Sequence, residues 1–191
     1  MPRYLQRLMN LDYSREPHAM FSVPFFVEQV DLDKIDFNDN PTFAPSFLSG
    51  VKSSLSGDSL TDESYEYLGS IISECIGRFS DKSFAIGQVW RNEYKKEDWQ
   101  DPHIHSGAQW SFIIYDTVEC SKTVFMNPAR KEYMNQWGMY AQTIPMDFIP
   151  EIPSGGMIIF PSWVEHFVMS GNEGSTISGN IYLVDPPAGP Q

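Results

Sequence analysis

Cysteine is nearly absent from this 191-residue sequence, which has only Cys75 and Cys120. Two cysteines outside any paired ligand spacing build neither a disulfide framework nor a thiolate zinc site, and they suit a reducing compartment. Cations are also few, 13 against 25 acidic residues, for a formal charge of −12. Such a field repels a phosphate backbone, so no nucleic-acid partner is expected. Lys131 is the last cation, and everything after it carries acids only. No apolar run approaches the ~18 residues of a membrane span. The first ten residues contain arginines but no apolar stretch of the signal-peptide kind. The expectation is therefore a cytoplasmic protein with no membrane partner. A phosphate-cradling glycine loop, a dinucleotide fingerprint and a serine or cysteine nucleophile arrangement are all missing.

What is present is a globular composition, 41% hydrophobic and 14% aromatic, at a length suited to one buried domain. Residues 1–82 read as an irregular extension, with a strand over 21–27 that carries an edge proline. One helix follows. Thr61 is a suitable N-cap, Asp62 and Glu63 suit the first turn, and Tyr65, Leu68, Ile72, Cys75, Ile76 and Phe79 recur at helical spacing. Its apolar stripe predicts packing on the outside of a sheet.

From residue 83 the pattern turns β-like. Runs over 84–94, 109–118, 122–126, 140–148, 156–160 and 175–184 are separated by turn residues, with short strands added at 103–105 and 166–169. Six to eight short strands without a second helical pattern predict a mainly β barrel or sandwich over 83–185, followed by a tail at 186–191.

Three of the four histidines fall in two segments. His103-Ile104-His105 places two imidazoles on one face of a strand, since residues i and i+2 point the same way. They can share an ion at the ~2.0–2.1 Å metal–nitrogen distance. His166 closes a segment in which Gly155-Gly156 turn, 157–160 form a buried strand and Pro161 ends the ladder. That segment delivers a third imidazole from a distant strand. The expected site is His103, His105 and His166 around one first-row metal ion.

These two segments resemble the iron(II)- and 2-oxoglutarate-dependent oxygenases, and most closely a branch seen in bacteria and marine phages with a His-x-His on its second barrel strand. The resemblance rests on Trp90 and Asn92, His103-Ile-His105, Ser111-Phe-Ile-Ile-Tyr115, Asn127-Pro128-Ala-Arg130, the Phe160-Pro-Ser-Trp163 stretch with His166, and Ser178-Gly-Asn180. It implies a double-stranded β-helix of the jelly-roll or cupin-like kind, an iron(II) cofactor, 2-oxoglutarate as cosubstrate and hydroxylation of a substrate C–H bond. Asn92, Tyr115, Arg130, Thr176 and Ser178 are the candidate cosubstrate contacts. The partners would be a small-molecule cosubstrate and a substrate that the sequence does not identify. A homodimer is left open.

The chain departs from the family pattern at two places. The usual carboxylate ligand is replaced by His105, with Asp101 as the candidate substitute on the same strand. The usual cosubstrate arginine falls on Gly174, so Lys122, Arg130 or Arg91 would have to supply a cation from another strand. Two alternatives share the architecture. A cupin-like metalloprotein or dioxygenase would use three histidines without 2-oxoglutarate. A non-catalytic protein on the oxygenase scaffold would use none of this chemistry.

Overall fold

β-Branched and aromatic residues at alternating positions dominate the chain after residue 82, and a computed structural model turns them into two antiparallel sheets. The structure describes residues 22–38, 40–46, 50–54, 60–80, 82–138 and 144–184. In chain order the elements are β1 (Phe26–Gln29), β2 (Ala44–Pro45), β3 (Lys52–Ser53), α1 (Asp62–Gly77), β4 (Ser83–Tyr94), β5 (Gln100–His103), β6 (Trp110–Tyr115), β7 (Thr123–Met126), α2 (Arg130–Trp137), β8 (Asp147–Phe148), β9 (Gly156–Pro161), β10 (His166–Val168) and β11 (Gly174–Val184). The larger sheet runs β1-β9-β6-β11-β4-β3-β2 and the smaller runs β5-β10-β7-β8. This is the expected mainly β jelly roll.

Helix α1 starts as the sequence predicts. Thr61 Oγ1 accepts from the Ser64 N–H at 3.3 Å, and Asp62 and Glu63 sit at the positive end of the helix. Leu68, Ile72, Cys75 and Ile76 are buried against the outward-facing residues Phe112, Ile114, Met157, Ile159, Ile177 and Ile181 of the large sheet. Two members of the predicted stripe lie elsewhere. Tyr65 is half-exposed and donates its hydroxyl to the Ile86 carbonyl, while Phe79 lies beyond the helix end, edge-on to Trp110. The opposite face of the sheet forms a second core in which Ile113, Tyr115, Ile158 and Phe160 meet Phe125 and Val164.

The first 82 residues do more than extend the barrel. They supply β1 at one edge of the large sheet and β2 and β3 at the other. A second helix, α2, also forms where no helical pattern was expected. Its sequence, Arg-Lys-Glu-Tyr-Met-Asn-Gln-Trp, has no apolar stripe to read, and it is launched by Asn127, whose Oδ1 accepts from the Ala129 N–H. The strand expected over 140–148 is reduced to β8, and residues 140–143 lie outside the described residues. The same holds for Phe21 of the first predicted strand and for the tail at 185–191. Among the described residues no helix is long and apolar enough to cross a membrane.

Candidate metal centre

His103 ends β5 and His166 begins β10, and the two residues are direct partners across that strand pair. β5 is irregular here. Between the pairs His103–His166 and Gln100–Val168 it spends three steps against two on β10, which shifts the register. Pro102 lies in the extra step, where it has no N–H to give the ladder. His105 stands two residues past the end of β5, its backbone N–H donating to the Ser162 carbonyl at 3.0 Å. The rings of His103 and His105 are nearly parallel with centroids 5.4 Å apart, and His166 lies 4.4 Å from the first and 5.2 Å from the second. One ring nitrogen from each lies within 4.8 Å of the others. Nitrogens sharing an ion at ~2.1 Å sit at most about 4.2 Å apart, so the three rings need only small rotations to close on one.

Each imidazole is held by its other nitrogen. Nδ1 of His103 lies 2.7 Å from the Asp101 carbonyl and Nδ1 of His166 lies 3.0 Å from the Val164 carbonyl. A carbonyl only accepts, so both Nδ1 atoms carry the proton. Nδ1 of His105 is 2.8 Å from Asn180 Oδ1 and 2.9 Å from Ser111 Oγ. Ser111 in turn contacts Asn180 Oδ1 at 3.1 Å and Ser162 Oγ at 2.7 Å. With Nδ1 donating, the free lone pair of each ring is on Nε2, the arrangement that metal-binding histidines adopt. Burial, set against the Asn180 contact, pushes the His105 imidazolium down to about 4. Burial and the neighbouring His103 push His166 down to about 3. Both are neutral at physiological pH, as ligation requires. Trp90 packs 5.3 Å from His105, and Phe125 and Phe160 pack 5.6 and 4.9 Å from His166.

The three rings open into a narrow cavity. Asn92, Thr176 and Ser178 line it, as the resemblance implies. Asn92 Nδ2 donates to Thr176 Oγ1 and Ser178 Oγ, both at 3.4 Å. Tyr115 is buried one layer behind the wall, donating its hydroxyl to Thr123 Oγ1 at 3.0 Å, and Thr123 itself reaches the cavity. Arg130 stands apart on α2, 4.0 Å from Asp147, and does not line the cavity. Neither do Arg91, which lies over the Phe37 ring at 4.1 Å, nor Lys122. Asp101 is not in the ligand cluster. The bulge at Pro102 breaks the alternation that would have aligned its side chain with His103, and its carbonyl serves instead as the His103 anchor.

Sequence reasoning missed Tyr94, Gln100, Thr123 and Asn172, which also line the cavity. No motif marks them, although Gln100 lies within a few residues of the His-x-His. The tryptophans divide. Trp90 lines the cavity, and Trp110 is core. Trp99 is exposed. Trp163 faces an apolar cleft with Phe25, Phe125, Phe148 and Phe160. The Trp137 side chain lies outside the described residues.

Residues 88–176, just under half the chain, match the family model described as "Putative 2OG-Fe(II) oxygenase". The fold is similar to that of an oxidoreductase of the 2OG-Fe(II) oxygenase family from Burkholderia pseudomallei, with 10% identity, 76% of this chain and 74% of that chain covered, and a TM-score of 0.53. It is also similar to a Pseudomonas putida prolyl-4-hydroxylase, with 10% identity, 85% and 94% covered, and a TM-score of 0.52. At such identities the likeness is one of fold. No curated protein matches the chain by sequence.

Proposed function

We propose that the chain is a member of the 2OG-Fe(II) oxygenase superfamily, an iron(II)-dependent oxygenase whose ion is held by Nε2 of His103, His105 and His166. One observation carries the assignment. All three Nδ1 atoms face oxygen partners, so three Nε2 lone pairs are left to converge in the cavity, where burial keeps His105 and His166 neutral. Neutral nitrogen donors suit a first-row divalent metal, and iron(II) fits this set. When bound, it would supply the redox centre at which dioxygen is activated for oxidation of a substrate C–H bond, with the 2-oxo acid as the two-electron donor.

The protein's own part is positional. Asn180 and Ser111 hold His105, and backbone carbonyls hold the other two rings. Trp90, Phe125 and Phe160 pack against the imidazoles and limit water around the ion. Three protein ligands leave coordination positions open for small molecules. Asn92, Thr176 and Ser178 are the contacts for an organic cosubstrate, with Tyr115 acting through Thr123.

The family's 2-oxoglutarate fits only in part. Its keto-acid end suits an ion with open positions, but among the described residues the cavity lining offers no lysine or arginine to its far carboxylate. The partners in this reading are small molecules in the cytoplasm, because the net charge of −12 disfavours nucleic acid and the two cysteines are unbridged.

Anaerobic titration tests the proposal. Iron(II) should bind once per chain, and His166→Ala should abolish that binding. A 2-oxo acid added to the iron form should produce a visible charge-transfer band. Iron uptake without any such band would favour a three-histidine oxygenase independent of 2-oxo acids, a reading consistent with the lack of a carboxylate in the ligand cluster among the described residues. Absence of iron uptake would overturn the assignment.

A further inference from the structure

Gly174 stands where the resemblance puts the arginine that holds the cosubstrate's far end. Its backbone φ is +128°, and a Cβ built there would lie 2.8 Å from the carbonyl carbon and from Oγ1 of Thr117. The strand is pinned at this level. The N–H groups of Asp116 and Thr117 both donate to the Ser175 carbonyl, and the Ser175 N–H donates to Thr117 Oγ1. No side chain is accommodated at position 174 without moving that turn. The lack of a cation is therefore built into the backbone. Among the described residues it is not compensated from elsewhere, since no Lys, Arg, Asp or Glu of them lines the cavity.

An uncharged polar row runs across the sheet at this level instead, and of its members Asn92 and Thr176 line the cavity. Ser53, Asn92, Thr176 and Tyr115 lie at one level across β3, β4, β11 and β6, each the direct partner of the next. Tyr115 is satisfied by Thr123, and Asn92 Nδ2 by two hydroxyls. Two atoms of the row, Asn92 Oδ1 and Ser53 Oγ, are buried without a partner. An orphaned buried acceptor is costly, and in a native protein it marks a place for a ligand or water group that can donate.

A carboxylate brings only lone pairs and a charge that nothing here compensates. A carboxamide brings both N–H groups and an oxygen. It can pair with Asn92 whichever of that residue's two polar atoms is turned to the cavity, whereas a carboxylate can pair with only one. We infer that the cavity takes a 2-oxo acid with an uncharged hydrogen-bonding tail, a terminal carboxamide, in preference to 2-oxoglutarate. This rests on the iron-site assignment above.

The test compares 2-oxosuccinamate with 2-oxoglutarate on the anaerobic iron(II) protein, by calorimetry and by the charge-transfer band. The amide should bind about tenfold more tightly. Asn92→Leu should erase that preference while still taking up one iron per chain. Equal or tighter binding of 2-oxoglutarate would overturn the inference and leave the iron site standing. So would binding of iron but of neither compound, or an unchanged preference in Asn92→Leu. Failure to take up iron would overturn both.

Discussion

Strands β6, β9 and β11 have two faces with opposite tasks. Outward, Phe112, Ile114, Met157, Ile159, Ile177 and Ile181 form a dry layer under α1. Inward, Ser111, Thr176, Ser178 and Asn180 build the polar surroundings of the histidines. The two sets alternate residue by residue on the same strands, so a period of two separates stability from chemistry by the thickness of one backbone. Substitution on one face should therefore leave the other's property largely intact.

The largest expected effect is on the dry face. Phe112→Ala removes a fully buried ring beneath α1 and should cost about 3–5 kcal/mol in denaturant unfolding. Iron stoichiometry in the folded fraction should not change. Loss of iron binding in a folded Phe112→Ala protein would break the separation of the faces.

On the polar face, Asn180→Leu removes the acceptor that keeps the proton on His105 Nδ1. Iron affinity should fall about 10–100-fold, read by competition with a chelator. An unaltered affinity would show that Ser111 alone sets the His105 tautomer.

The smallest effect concerns pH. Burial holds His105 at about 4 and His166 at about 3, below their ordinary value of 6.5. The unfolded chain therefore takes up protons first as pH falls. Stability of the metal-free protein should be full above pH 6.5 and decline progressively toward pH 4, visible as a falling thermal midpoint. The decline should persist in Phe112→Ala, because it belongs to the polar face. A flat profile would mean that the imidazoles charge freely in the folded state.

Much of this layout was legible along the chain. The α1 stripe, the alternating runs and the three histidines each rest on local periodicity or on a residue type with one dominant chemistry. Tyr65 and Phe79 were misplaced because helical spacing locates a stripe but not its margins, where the partner surface ends. Helix α2 has no apolar stripe in its sequence to announce it, and Asp101 stays outside the ligand cluster because the bulge at Pro102 breaks the i, i+2 parity that would align it with His103.

By itself, then, the order of residues determined which strands form, which face of each is apolar and which side chains can ligate a metal, because these depend on neighbours within a few positions. Tertiary structure alone decided that His166 pairs with His103 and that Asn180 reaches His105. It also decided that Gly174 packs too closely on Thr117 to be anything else. Each of these is a contact between segments that only the closing of the sheets brings together, at distances that no local pattern encodes.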